Sequence, residues 1–165
     1  MRILGIDCGS QITGYGVIDS DGTAHTLVSA GAIKTHAGDP LALRLLAIGR
    51  RLREVVDEFK PDEAAVEDTF HAANARSALK LTHVRGVALY VMAEAGLRVG
   101  EYAPAKIKAT VVGHGRADKE QVAWMLKALL RLEGDFVTPD ASDAVAVAVC
   151  HAVHRPMSAN LEMSR

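Results

Sequence analysis

Four carboxylates stand at points where the chain changes direction. Asp7 closes the apolar run Ile3–Ile6, Glu67 closes Glu63-Ala-Ala-Val-Glu67, and Asp140 and Asp143 follow Thr138-Pro139. A three-residue step puts the last two on one face of a helix. If that helix crosses the carboxyl ends of the first and fourth strands, all four acids converge. Converging carboxylates raise one another's pKa or require a cation. Mg²⁺ suits a set of hard oxygen donors, with Mn²⁺ able to substitute. Two such ions about 3.5–4 Å apart would clamp the attacking and leaving oxygens of an in-line displacement at phosphorus. The chemistry implied is phosphodiester hydrolysis.

Each acid also has a plainer reading. An aspartate after a strand is commonly a turn former, and two at a helix start complement its dipole. Strand alternation sends Glu67 and Asp68 to opposite faces, and either face could hold the site. Against the plain reading of Asp143 stands the segment Ala144–Cys150, so apolar that Asp143 falls near the interior.

Strands are predicted at Ile3–Ile6, Gly14–Asp19, about Thr23–Thr35, Glu63–Glu67 and Arg98–Tyr102. Leu41, Leu45, Ile48, Leu52, Val55 and Phe59 recur at helical steps and give an amphipathic helix that Pro61 ends. Further helices are predicted over about Asn74–Ala95, Pro104–Val112, Asp118–Leu132 and Pro139–His154, the last with proline at its first position. This order, three antiparallel strands followed by strands alternating with helices, makes an α/β domain with a five-stranded mixed sheet flanked by helices. One domain is expected over residues 1–155, with 156–165 a flexible tail. The apolar surplus around the Asn74–Ala95 helix suggests a helix-on-helix contact between two copies.

The chain has 165 residues, 49% hydrophobic and 24% charged, with a formal net charge of −1. These values exclude a disordered or fibrous chain and one that holds polyanions by diffuse charge. Cys8 and Cys150 form no ligand or disulfide spacing and read as buried thiols of a reducing compartment. His151 and His154 have no further ligand nearby, and Trp124 and Met125 read as core or inter-subunit packing. No signal peptide or apolar stretch of membrane-spanning length is visible. A cytoplasmic location without membrane contact is expected.

Several segments together resemble one family. They are Leu4-Gly-Ile-Asp-Cys-Gly-Ser10 with Thr13-Gly-Tyr-Gly-Val17, Ala65-Val-Glu67 with Phe70 and Asn74, and Ser77-Ala-Leu-Lys-Leu81 with Arg85-Gly-Val-Ala88. Lys106-Ile-Lys108 with Val111-Val-Gly-His-Gly115, Ala117-Asp-Lys-Glu-Gln-Val122 with Met125, and Asp140-Ala-Ser-Asp-Ala144 complete the set. In this order, over residues 2 to about 155, they resemble the RuvC family of Holliday junction resolvases. The resemblance implies a ribonuclease H-like fold and a homodimer with one active site per subunit. It also implies Mg²⁺-dependent paired nicking of four-way DNA junctions in recombination and repair, and branch-migration partners of the RuvA/RuvB type. Asp7, Glu67, Asp140 and Asp143 match the family's catalytic, metal-binding acids. Phe70 matches an aromatic thought to stack on or wedge between bases at the junction centre. The family usually carries proline where Cys8 stands, which implies a less rigid turn; some members carry histidine at the position of Asp140.

Charge is segregated along the chain. Residues 1–75 hold seven Lys+Arg and eleven Asp+Glu, residues 76–119 hold eight and three, and residues 120–165 hold four and six. The basic middle could supply phosphate contacts through Arg76, Lys80, Arg85, Lys106, Lys108, Arg116 and Lys119. Lys108 and Lys119 match lysines the family uses near the scissile phosphate. Two other readings stay open: a junction-binding protein that does not cut, and an ATPase of the actin-like or sugar-kinase type, suggested by Gly5-Ile-Asp7 with Gly9 and Thr13-Gly14. The second requires another lobe, for which 165 residues leave little room.

Overall fold

The structure, a computed structural model, describes residues 1–68 and 75–155, the side chains of 75 and 76 excepted. The expected tail, the loop holding Phe70, and the Arg76 side chain lie outside the described residues. In chain order the elements are β1 (Arg2–Asp7), β2 (Ile12–Ser20), β3 (His25–Lys34), α1 (Leu41–Phe59) and β4 (Glu63–Glu67). They continue with α2 (Ala75–Glu94), β5 (Arg98–Tyr102), α3 (Pro104–Val112), α4 (Lys119–Leu130) and α5 (Pro139–His154). The five strands form one sheet in the order β3-β2-β1-β4-β5. The β1–β2 and β2–β3 pairs are antiparallel, and the β1–β4 and β4–β5 pairs are parallel. This is the mixed sheet expected from the element order.

Two strand starts differ from the expectation by two residues. β2 begins at Ile12 because Ile12 and Thr13 pair with Lys34 and Ile33, extending the hairpin past Gly14. β3 begins at His25 because Thr23 and Ala24 belong to a turn, where the Asp21 carboxylate accepts from both their backbone N–H groups at 2.8 Å.

Alternation along the strands divides the core into two layers. Leu4, Ile6, Cys8, Ala64 and Val66 face one way and pack on Ile48, Leu52 and Val55 of α1 and Val84, Ala88 and Met92 of α2. Ile3 and Ala65 face the other way, onto α5 with α3 and α4 at its sides. Surrounded on three sides, α5 is buried at nearly every position from Ala141 to Ala152. That accounts for its apolar sequence.

At Gly5 and Gly14 helix α5 lies against the sheet with no strand side chain between. A Cβ built at Gly5 would run into the Ala144 carbonyl and stand 2.6 Å from the Ala148 N; one at Gly14 would meet the Asp140 carbonyl group. Glycine in β1 and β2 and alanine in α5 therefore fix the helix height and register. The far end of α5 is pinned by His151, whose buried imidazole bridges Glu63 Oε2 at 2.8 Å and the Tyr102 hydroxyl at 3.0 Å. Here His151 is a packing residue, and His154 bonds Thr110 Oγ1 at 2.8 Å.

Gly5→Ala is expected to destabilise the fold by about 3 kcal/mol or more, since the new methyl must displace backbone rather than a flexible side chain. Gly134→Ala, with no atom within 4 Å of the new methyl, should change stability by no more than about 0.5 kcal/mol. Urea unfolding of the two variants checks the contrast.

Candidate active site

Asp7 is the last residue of β1 and, by alternation, lies on the same face as Ile3 and Gly5, beneath α5. Glu67 is the last residue of β4, which runs parallel to β1 with Ile6 opposite Val66. The two carboxylates thus stand side by side at the carboxyl ends of the central strands. Glu67 shares the α5 face with Ala65. Asp68 turns the other way and meets Arg85 of α2 at 3.6 Å. The choice that alternation left open falls to Glu67.

Thr138 caps α5 through its hydroxyl, which accepts from the Ala141 N–H at 3.2 Å. The close seat of the first turn on Gly14 then sets Asp140 and Asp143 beside the strand ends. Asp7, Glu67 and Asp143 line one cavity of about 240 Å³ together with Lys108 of α3 and Lys119 of α4. Asp140 stands outside this lining, although its charge acts on both Asp7 and Lys119. Lys119 Nζ donates to Asp143 Oδ2 at 2.5 Å. Its position is set by a capping box, in which the Asp118 side chain accepts from the Gln121 N–H and the Gln121 side chain accepts from the Asp118 N–H. A lysine at that helix start works against the dipole; its place follows from the carboxylates opposite.

Burial, followed by the charges of Glu67 and Asp143, pushes the Asp7 carboxyl up to about 7 against the pull of Lys119. Glu67 is also raised, by burial and then by Asp143, while Lys119, a hydrogen bond from Asp7 and Lys108 restrain it. Lys119 is held more firmly protonated by its bond to Asp143. The cavity therefore concentrates negative charge that its two lysines offset only in part. Among the described residues no three His, Cys, Asp or Glu side chains are gathered tightly enough to enclose a metal ion; the acids line walls that open onto the cavity.

Of the other basic residues considered, Lys80 and Arg116 are exposed, and Lys106 is exposed with its ammonium 5.3 Å from the centre of the Tyr102 ring. Arg85 is corrected from a phosphate contact to a structural cation: it is largely covered, and its guanidinium is committed to Glu101 and Asp68. Together with the Asp68 N–H bond to the Tyr102 carbonyl at 2.8 Å, this ties down the chain just past Glu67. The arrangement was missed in the sequence because the partners come from three separate elements. Trp124, read as core or inter-subunit packing, is not in the core of the subunit: it is 65% exposed. The buried stripe of α4 runs through Val122, Leu126 and Leu130 at four-residue steps, and Trp124 lies off that stripe.

A sheet of this order, with acids at the carboxyl ends of its two central strands and a helix crossing over them, places the protein in the ribonuclease H-like class. A family model described as "Crossover junction endodeoxyribonuclease RuvC" matches residues 3–151. The RuvC protein of Koribacter versatilis is 50% identical over 153 residues, which cover 92% of each chain. That of Geobacter sulfurreducens is 49% identical over 165 residues, the whole of both chains. Thermus thermophilus RuvC, solved in complex with Holliday junction substrate, aligns with a TM-score of 0.87 and 34% identity over 93% of each chain. The chain belongs to the RuvC family of crossover junction endodeoxyribonucleases. The yeast mitochondrial resolvase Ydc2, 11% identical with a TM-score of 0.66 over 92% of this chain and 77% of its own, shares the fold.

Unfolded, Asp7 loses its proton near 3.8; folded, it keeps it until about 7. Between those values the folded chain binds the extra proton, so metal-free stability falls as pH rises from about 4 to 7 and levels off above. Asp7→Asn removes that loss. It should stabilise the metal-free protein by an amount on the order of a few kcal/mol at pH 8 and by less at pH 5, measured by thermal unfolding in EDTA.

Proposed function

We propose that this chain is a divalent-metal-dependent endodeoxyribonuclease that cuts four-way DNA junctions, with Asp7, Glu67 and Asp143 as the metal-holding acids and Asp140 completing the set. The observation that carries the proposal is the cavity at the carboxyl ends of β1 and β4, which joins three acids to two lysines in a chain of the RuvC family. The relative solved with a Holliday junction substrate supports the choice of substrate.

A divalent cation fits these residues on two grounds. The donors are all carboxylate oxygens, the set that hard cations such as Mg²⁺ and Mn²⁺ prefer. Further, a carboxyl held at about 7 by burial and by its neighbours marks a charge that the protein does not neutralise itself. When bound, such ions supply water activation and charge stabilisation at phosphorus. Among the protein's own groups, Lys119 and Lys108 can hold the phosphate of a bound strand against the acidic wall. Their ammonium groups keep a polyanion from being repelled by Asp7 and Glu67. Lys119 must exchange some of its bond to Asp143 for that contact. Lys80, Lys106, Arg116 and Arg76 are proposed to add further phosphate contacts with the bound DNA. Phe70 is proposed to act on bases at the junction centre.

Symmetric cutting of two strands requires two such sites, and we propose a homodimer joined through α2. That helix buries Val84, Ala88, Val91 and Met92 in its own subunit yet leaves Leu79 62% and Tyr90 60% exposed. The resulting ligatable junction products place the enzyme after branch migration, with partners of the RuvA/RuvB type, in the cytoplasm where DNA is found.

The decisive experiment incubates the protein with a synthetic four-way junction and Mg²⁺. Paired nicks are expected, with Mn²⁺ able to replace Mg²⁺, and EDTA should abolish them. Asp7→Asn should lower the cleavage rate at least roughly a hundred-fold while junction binding by gel shift remains. Binding by the wild-type protein without nicking in any metal would leave only a junction-binding role. For the dimer, Leu79→Asp should shift the sedimentation of the protein toward the monomer.

A further inference from the structure

A second cavity, of about 440 Å³, opens beside the candidate active site between α4 and the start of α5. It shares two lining residues, Lys119 and Asp143, with the catalytic cavity. Its walls include Trp124, Ala123, Phe136 and Pro139. Such a volume falls in the range of roughly 300–1,000 Å³ typical of small-molecule sites.

The charges of this groove are wrong for a phosphate. Lys127 at its edge is committed to Asp135, and Glu120 brings a carboxylate. They suit instead a flat apolar ring whose edge carries hydrogen-bonding groups: Trp124, 65% exposed, offers an aromatic surface, and Glu120 offers a partner to that edge. The shared Lys119 and Asp143 put such a ring beside a phosphate held in the catalytic cavity. We propose that the Trp124–Phe136 groove is a nucleobase subsite that receives an unstacked base next to the scissile phosphate and makes cutting depend on the sequence there. This rests on the nuclease reading above.

Bases at a branch point are already partly unstacked, so their transfer to an aromatic face is less opposed than in a continuous duplex. Stacking on Trp124 should contribute about ten- to a hundred-fold to the rate of cutting. Glu120 should bias which base is accepted. Because Trp124 lies outside the buried stripe of α4, its replacement is expected to leave the fold intact, which thermal unfolding checks.

The test measures single-turnover cutting of four-way junctions in which one nucleotide at a time, on either side of the cut, is replaced by an abasic analogue. In the wild type one position should slow cutting about ten-fold or more. Trp124→Ala should slow cutting of the intact junction similarly, yet lose nothing further from the abasic residue at that position. Trp124→Phe should recover most of the rate, and Glu120→Gln should alter the ranking of the four bases there. An abasic penalty that persists unchanged in Trp124→Ala overturns the proposal, as does a variant that cuts every junction like the wild type. So does a change in self-association with an unaltered abasic profile, which would make the groove a protein contact. If the wild type binds but never cuts, the nuclease reading falls. The subsite is then decided by 2-aminopurine placed beside the branch point: quenching by the wild type but not by Trp124→Ala supports it, and equal signals overturn it.

Discussion

The direct seating of α5 on β1 and β2 is the contact on which the rest of the architecture depends. Backbone meets backbone there, because Gly5 and Gly14 present no side chain and Ala144 and Ala148 present a minimal one. Close contact of this kind leaves little freedom in height or register. The first turn of α5 is therefore fixed relative to the end of β1, and Asp143 arrives beside Asp7 as a consequence. The helix is held at its other end by the buried Glu63–His151–Tyr102 bridge. A strand, a helix and a strand from distant parts of the chain thus behave as one rigid support for carboxylates that repel one another.

That repulsion is the cost such a site imposes on its fold. Burial and the neighbouring acids make the ionised form of Asp7 unfavourable, and the two cavity lysines relieve it only in part. Stability and charge concentration are opposed here, as they commonly are where a protein prepares a place for a cation. The bond between Lys119 and Asp143 shows one way the opposition is managed: the ammonium pairs with one acid and its charge also acts on Asp7. Lys119 can do this because the capping box at Asp118 fixes the helix start without using the lysine side chain.

The sheet was legible in the sequence because its strands are short, apolar and separated by turn residues, and because antiparallel and parallel connections leave different spacings. The acids could be read because they end elements, where strand or helix geometry gives their direction. Other parts were hidden for physical reasons. Strand alternation fixes that Glu67 and Asp68 diverge, but only the position of α5 says which side matters. The pairing of Arg85 with Glu101 and Asp68 joins residues from three elements, and no local pattern announces it. Of the two readings of Trp124, core or inter-subunit packing, the first fails although a large aromatic is ordinarily buried. The spacing of Val122, Leu126 and Leu130 already contained the contrary signal, since a residue two positions from such a stripe points away from it.

Cys8 shows how the same loop can be held by different means. In the related family a proline usually follows the first aspartate and stiffens the turn through its fixed φ. The cysteine here is buried against the α1–α2 layer, and burial with the nearby Asp7 charge pushes its thiol up to about 12. It is therefore neither a nucleophile nor a metal-binding thiolate at neutral pH. Restraint on the turn comes from hydrogen bonds instead. Thr13 Oγ1 donates to the Gly9 carbonyl at 2.8 Å, and the Thr35 N–H donates to the Gln11 carbonyl at 2.9 Å. The buried guanidinium of Arg44 reaches the Ser10 carbonyl and Thr35 Oγ1. Arg44 comes from α1 and Thr35 from the end of β3, so the segment after Asp7 is tied both to its hairpin partner and to the helical layer beneath it. The segment after Asp7 is thus restrained by a network spanning three elements, and the position of Asp7 depends on how well α1 packs.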